Sequence, residues 1–156
     1  MRARGGGETG APPAGEAGGR RGSQRFRPAD RVRRSSEYRR AQRFGERVHS
    51  RHFLFVVHPR RDGDERARLG LTVSRKVGGA VRRNRVKRLL REVFRRNREL
   101  FPKGCDVVVI AKRGAPALGY RDVLREVRSV RAVLARKARV AARRLARAEQ
   151  GGKVEG

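Results

Sequence analysis

Three histidines and one acidic cluster are the side chains in this sequence that could activate water or bind a metal ion. His49, His52 and His58 fall on or beside one predicted strand, where His52 and His58 share a face and His49 lies on the other. Metal ligands must converge on one point, so this spacing favours solvated or phosphate-contacting histidines. The acids in residues 62–65 fall in a predicted turn, where they also serve turn geometry. We therefore predict no metal site and no catalytic side chain.

The single cysteine and a pair of glycines offer little further chemistry. Cys105 has no partner for a disulfide or a catalytic triad, so we predict a small buried residue in a protein of the reducing cytoplasm. Gly78 and Gly79 precede a basic helix, but the nucleotide-binding pattern G-x-x-x-x-G-K-[ST] is missing. The two glycines are predicted to allow a tight turn, and the N-terminus of the helix can still receive an RNA phosphate.

The charge balance indicates a polyanionic partner. The 156 residues include 43 Lys and Arg against 15 Asp and Glu, which gives a formal net charge of +28. Self-repulsion on this scale destabilises a compact chain, and nucleic acid is the usual partner that relieves it. The longest apolar runs, 53–57 and 107–111, hold five residues each and are too short to cross a bilayer. The early arginines are not followed by an apolar segment, so no secretory signal is predicted.

The stretch from Arg83 to Arg98 is predicted to form one amphipathic helix. Eight of its sixteen residues are Lys or Arg, and one is acidic. The apolar residues share one face of this helix: Val86, Leu89, Leu90, Val93 and Phe94. The opposite face carries Asn84, Arg88, Arg91 and Arg95. Like charges repel along such a face, and a polyanion lying on it would relieve that repulsion; a merely soluble basic helix is the alternative.

The segment before this helix is predicted from composition and turn residues. Residues 1–30 are rich in Gly, Pro and Arg and are predicted to be a disordered tail. Order should begin near Arg31, with a short helix that is capped by Ser35 or Ser36 and ended by Gly45.

Three strands and a final helix complete the prediction. One strand at 48–58 and a returning strand at 69–73 are expected to pair antiparallel, and the apolar run at 107–111 should be a central strand. A last helix should begin near Tyr120 and present one apolar face as far as Leu134. The chain is thus divided into a tail at 1–30, one domain at 31–135, and a basic helical extension with a tail at 136–156.

The residues from Leu69 to Phe94, LGLTVSRKVGGAVRRNRVKRLLREVF, closely resemble the signature of the bacterial ribonuclease P protein subunit. The likeness extends from about Arg31 to Leu134, roughly two thirds of the chain, and Gly45 matches a glycine of the family. It implies an α+β fold, a two-layer sandwich with a mostly antiparallel sheet, packed helices and a left-handed βαβ crossover. A domain of this type is also found in a small-subunit ribosomal protein.

The resemblance also implies a function. In that family RNA is the catalyst, and Mg²⁺ held mainly by the RNA activates the water that cleaves the 5′ leader from precursor tRNA. The protein is the non-catalytic subunit of this endoribonuclease, with the catalytic RNA and precursor tRNA as partners and with no membrane or DNA role. The residues implied to contact the catalytic RNA are Arg75, Lys76, Arg83, Asn84, Arg85, Lys87, Arg88, Arg91 and Arg95.

The cleft that holds the single-stranded leader in the family matches this sequence less well. The residues implied to line it are Tyr38, Arg39, Gln42, Arg43 and Val56. Of three aromatic positions, Tyr38 alone is clearly kept, because Gln42 and Val56 stand at the other two. Weaker stacking on the leader is therefore expected, with Arg39 and Arg43 compensating.

Two other functions are compatible with the composition. A small structural ribosomal protein would share the charge and fold class, but the motif from Arg83 to Arg91 favours the ribonuclease P subunit. A DNA-compacting protein would need an apolar wedge, and none is identified in the sequence.

Overall fold

The computed structural model describes residues 25–155, with side chains to residue 151, and residues 1–24 of the predicted tail lie outside this range. Four strands form one sheet in the order β1-β2-β4-β3. The strands are β1 (Glu46–His49), β2 (Phe53–Pro59), β3 (Arg68–Thr72) and β4 (Cys105–Ala111). The helices are α1 (Ser35–Phe44), α2 (Ala80–Arg96) and α3 (Tyr120–Glu155).

The sheet is antiparallel except at one edge. β1 pairs with β2 and β2 with β4 in antiparallel register, whereas β3 runs parallel to β4. A parallel neighbour requires a crossover connection, and α2 provides it between β3 and β4. The predicted α+β class, with a mostly antiparallel sheet and packed helices, is confirmed.

Side-chain alternation on the central strands divides the core into two parts. On β2, Phe53, Phe55 and Val57 face the layer formed by α2 and α3. The intervening Val56 faces α1 on the other side of the sheet, where it packs against Ala41. The five-residue apolar run of β2 is therefore explained by helices on both faces of the strand.

The two long helices bury the faces that their periodicity predicts. The buried residues of α2 are Val86, Leu90, Val93 and Phe94. Those of α3 are Val123, Val127, Val130, Leu134, Ala138 and Ala141. The basic extension after Leu134 is thus a continuation of α3, and two alanines keep it against the core.

Two predictions about the strands are wrong. The single strand at 48–58 is a hairpin, because the backbone N–H and hydroxyl of Ser50 both donate to the carbonyl of Phe53, at 2.8 and 3.2 Å. β3 does not return antiparallel to this strand, since β4 occupies the edge of β2. The first error is a missed local turn between His49 and Phe53, and the second comes from pairing across a long sequence separation, which strand patterning does not report.

The ends of α1 also differ from the prediction. No serine hydroxyl caps the helix, because the N-cap residue is Arg34 and both serines lie inside the first turn. Glu37 instead accepts the backbone N–H groups of Arg33 and Arg34, each at 3.2 Å. Gly45 ends the helix in an extended conformation with φ of −76°, and not in the left-handed conformation expected after a helix.

The packed part of the chain begins before Arg31. The ring of Phe26 meets Phe94 edge-on at 5.8 Å, and the buried Asp30 forms an ion pair with Arg98 at 3.1 Å. Arg31 then forms a parallel bridge with Leu69 on the outer edge of β3. Within the described part of the chain, no helix combines the length and the apolarity needed to cross a membrane.

Candidate nucleic-acid interface

A groove of about 410 Å³ lies at the free edge of β3, between the start of α1 and the flank of α2. The ring of Tyr38 forms part of the wall of this groove. The hydroxyl of Tyr38 accepts a hydrogen bond from the backbone N–H of Leu71 at 3.1 Å, and its ring lies over Gly70. A Cβ at Gly70 would lie 3.0 Å from the ring, so a glycine is needed for this close approach. The ring is half-buried and still lines the open groove.

The polar residues that line this groove are all cations apart from the tyrosine: Arg31, Arg33, Lys87 and Arg91. None of the lining residues is acidic. Burial lowers the pKa of Arg91 from its ordinary value, and the positive charges of Arg31 and Arg88 lower it further. A partly desolvated cation that faces other cations is a site where a bound anion is strongly favoured.

The loop before α2 supplies further donors. Gly78 has φ of +154°, and a Cβ there would lie 3.1 Å from the side chain of Arg82, so this position requires glycine. Arg75 and Lys76 are exposed just before it. The guanidinium of Arg83 donates to the Gly78 carbonyl at 3.2 Å, which ties the loop to the first turn of α2.

The other residues predicted to contact RNA on α2 divide into open and engaged side chains. Asn84 and Arg88 are exposed on the outer face, as their spacing predicts. Arg85 is also exposed, but it donates to the Pro116 carbonyl at 2.6 Å. Arg95 forms hydrogen bonds with both carboxylate oxygens of Glu92, at 2.7 and 3.2 Å, so an acid already balances part of its charge.

The structure does not bring the five predicted leader residues together. Arg39, Gln42 and Arg43 line a separate shallow groove on the outer side of α1, beside the exposed ring of Phe44. Val56 is fully buried beneath α1. The prediction that Val56 lines the cleft is therefore wrong: its position on β2 faces the core, and α1 covers it.

A buried charge network holds α1 to the sheet, and the sequence pattern did not predict it. Arg68 donates to both oxygens of Asp106, at 2.7 and 2.8 Å, and to Glu37 at 3.4 Å. The hydrogen bond to Asp106 raises the pKa of Arg68. Burial would raise the pKa of Glu37, but the backbone N–H of Arg34 and the charge of Arg68 outweigh it, and the pKa is lowered.

The histidines occupy three separate environments. His49 is exposed, and His52 bonds through Nδ1 to Glu126 at 2.5 Å. His58 is buried opposite Asp106, and the cost of desolvating its charged form lowers its pKa. Among the residues that the structure describes, no group of three His, Cys, Asp or Glu could hold a metal ion.

Cys105 is buried, as predicted. Desolvation raises the pKa of its thiol to about 11, with a further contribution from Asp106.

Sequence reasoning missed six of the nine residues that line the groove, including one aromatic residue and two arginines that lie before α1. Phe26, Arg31 and Arg33 line the groove, although all three lie outside the helices that the predictions used. Phe26 could have indicated that this segment packs on the domain, because an isolated Phe in an otherwise polar, basic segment is a candidate for burial.

Comparisons with known proteins agree on one family. The family model named Ribonuclease P matches residues 26–145. A ribonuclease P protein component of Desulfovibrio desulfuricans is 50% identical over 99 residues, which cover 62% of this chain and 76% of that protein. Another, from Syntrophus aciditrophicus, is 40% identical over 103 residues, covering 65% and 84%.

Solved structures give the same result. The RNase P protein from Thermotoga maritima has a TM-score of 0.59 and 31% identity, and the match covers 68% of this chain and 96% of that one. The Staphylococcus aureus RNase P protein has a TM-score of 0.60 and 28% identity, covering 67% and 94%.

Proposed function

Because this chain belongs to the ribonuclease P protein family, we propose that it binds the catalytic RNA and the 5′ leader of precursor tRNA within that ribonucleoprotein. The outer face of α2 and the loop before it contact the catalytic RNA. The groove beside Tyr38 receives the leader. The protein itself supplies no catalytic group and acts in the cytoplasm as the RNA-binding component of a tRNA-processing enzyme.

One observation carries the proposal: Tyr38 shares its groove with Lys87 and Arg91, and none of the described residues that line the groove is acidic. A single-stranded leader has the two features that this groove complements. Its bases can stack on a ring without regard to sequence, and its phosphates can bind the surrounding cations. A processing enzyme that handles many tRNA precursors needs this tolerance of leader sequence.

The groove adjoins the face proposed to bind the catalytic RNA. Lys87 and Arg91 project toward the groove, whereas Arg88, one turn from Asn84, lies on the open outer face of α2. One helix would therefore contact both RNAs, which fixes the leader relative to the catalyst. Arg39, Gln42 and Arg43 remain proposed contacts for leader nucleotides that run across the outer side of α1.

Mg²⁺ would be held mainly by the RNA, where it would activate the attacking water. The chain's own cations would neutralise phosphates and so bring the two RNAs together where metal ions are scarce. We expect Arg88 and Arg91 to contribute most to this neutralisation, since neither forms an ion pair with an acid among the described residues.

The test is a reconstitution of the full chain with its catalytic RNA and a precursor tRNA at limiting magnesium. The complex should cleave the precursor, and the nuclease-treated protein alone should not. The double variant Arg88→Ala/Arg91→Ala should lose most of the stimulation at low magnesium and regain it at high magnesium. Robust cleavage by RNA-free protein, or full stimulation by the double variant, would overturn the proposal.

A further inference from the structure

The outer face of α3 carries a second row of arginines that the proposed function does not use. At about 100° per residue, these arginines fall within one arc, opposite the buried valines, leucine and alanines of the same helix. The row consists of Arg121, Arg125, Arg128, Arg136, Arg139, Arg143 and Arg147. All seven side chains are exposed.

Acids are missing from most of this face. From Val127 to Ala148 the helix contains no Asp or Glu, although exposed helix faces commonly mix both signs. Within the described residues, the ion pair of this row is that of Arg125 with Asp122, at 3.8 Å on an exposed surface. The flanking Lys137 and Arg144 instead turn toward the sheet and bind the buried Glu46, at 3.6 and 2.5 Å.

The basic residues of this one helix fall into two groups with different surroundings. Lys137 and Arg144 fasten α3 to the start of β1, so their charges are already balanced. Among the described residues, none of the arginines in the row forms an ion pair that fastens the helix to the sheet. Their mutual repulsion costs stability in the free protein, and a bound polyanion would remove that cost.

The shape of the row favours a duplex over a single strand. From Arg121 to Arg147 it extends about 39 Å along a straight helix, at about 1.5 Å per residue. No aromatic residue follows Tyr120 in the chain, so the row offers no ring on which unpaired bases could stack. Arginines bind phosphates through paired N–H groups, and duplex RNA is recognised mainly through its backbone and shape.

We propose that this outer face of α3 binds the sugar–phosphate backbone of double-stranded RNA, without sequence preference, as a second contact surface separate from α2. It adds a function that the groove and the outer face of α2 do not provide. Because α2 and α3 form one layer on the same face of the sheet, a folded RNA could contact both helices at once.

The test compares two variants of the full chain with equal net charge. The first, R136Q/R139Q/R143Q/R147Q, removes four arginines of the row and keeps good helix-forming residues. The control, R51Q/R61Q/K103Q/R113Q, removes four exposed cations elsewhere. Circular dichroism checks that both variants keep the wild-type helix content.

Binding is measured by fluorescence anisotropy over a salt series. The probe is a blunt RNA duplex of about 20 base pairs, longer than the roughly 16 base pairs that a duplex-binding domain spans. The row variant should lose at least about tenfold in affinity, and its salt slope should fall by about three. The control variant should lose less than about threefold, as expected of distant charges that salt screens.

Three outcomes would overturn the inference. The two variants could lose duplex affinity equally, which would assign the effect to net charge. The row variant could lose affinity for single-stranded RNA as strongly as for the duplex. It could instead lose binding to anionic phosphatidylserine vesicles while duplex binding is unchanged. None of these measurements uses the catalytic RNA, so their failure is distinct from a failure of the reconstituted cleavage reaction.

Discussion

Arg68 and Arg91 lie on opposite sides of the same sheet edge and have opposite surroundings. Arg68 points under α1 and meets two carboxylates, those of Asp106 and Glu37. Arg91 points into the groove and meets the charges of Arg31 and Arg88. Both side chains are partly buried, yet the pKa of Arg68 is raised and that of Arg91 is lowered.

The difference indicates how a chain with a large excess of arginine can separate structural side chains from those that we propose to bind RNA. An arginine whose acids lie within the fold completes its hydrogen bonds internally and contributes to stability. An arginine with no carboxylate nearby has no partner for its charge within the fold, and an external anion supplies that partner. Burial and residue type do not make this distinction; the neighbours do.

Removing Arg68 should have the largest effect on stability. Arg68→Ala leaves Asp106 buried without its partner, which should reduce the free energy of unfolding by about 3–5 kcal/mol in urea titrations. Arg66→Ala, which removes an exposed arginine paired with Asp64, should leave the free energy of unfolding nearly unchanged, because water and salt screen exposed ion pairs. Replacing the pair with apolar residues, as in R68M/D106L, should recover most of the loss. If Arg68→Ala left the free energy of unfolding unchanged, Arg68 would not be a structural residue, and the contrast with Arg91 would fail.

Substitutions of Tyr38 test the proposed binding role of the groove, because the ring and the hydroxyl of this residue have separate tasks. Tyr38→Ala should cost about 1–3 kcal/mol of affinity for precursor tRNA over mature tRNA, through lost stacking. Tyr38→Phe should keep that preference and lose about 1 kcal/mol of stability, since the Leu71 N–H loses its acceptor. The effects on leader binding and on stability are separated by measuring the affinity for precursors with and without a leader and the thermal melting of each variant. Equal losses on both RNAs would assign the ring to packing alone.

Arg91→Ala should weaken RNA binding without weakening the fold. One lost phosphate contact should weaken binding by about 1 kcal/mol, which raises Kd about fivefold, and should reduce the salt slope by roughly 0.7–0.9. Stability should stay the same or rise, because a repelling cation is gone. Arg95→Ala is the matched control on the same helix, and its effect should be smaller because Glu92 already balances its charge. A greater loss of stability than of binding in Arg91→Ala would contradict the comparison.

The smallest effect should be a dependence on acidic pH. The pKa of Glu37 is lowered in the folded protein, so its contribution is present above its ordinary value of 4.5 and is lost as pH falls through the folded value. Glu37→Gln should therefore cost up to about 1 kcal/mol at neutral pH, and the difference from wild type should shrink in acid. Urea unfolding at a series of pH values checks this; a difference that grows in acid would refute it.

Periodicity predicted the parts of the fold whose contacts are local. The buried face of α2, the final helix and the central strand β4 follow from apolar spacing alone. The exposure of Asn84 and Arg88 follows from the same spacing, because the polar side of a helix is fixed once its apolar side is known. The spacing did not show that Arg91 borders a groove and is half-buried there.

The remaining features depend on contacts between distant parts of the chain. Arg68 meets Asp106 across 38 residues, and Tyr38 meets Leu71 across 33. Neither pairing leaves a repeating pattern in the sequence. Val56 was placed in the cleft because it stands at a position that is aromatic in the family, and that likeness does not show whether a helix covers the residue in this chain.

The outer edge of β3 has a consequence for how the protein behaves in concentrated solution. An open strand edge can pair with the same edge of another molecule and start aggregation. Here the Val32 N–H donates to the Leu69 carbonyl, and the Leu71 N–H donates to Tyr38, so two backbone groups of that edge are already engaged. The side chain that we propose for leader stacking therefore also protects the molecule against self-association through its hydroxyl: Tyr38→Ala would remove both roles, whereas Tyr38→Phe would remove the protection alone.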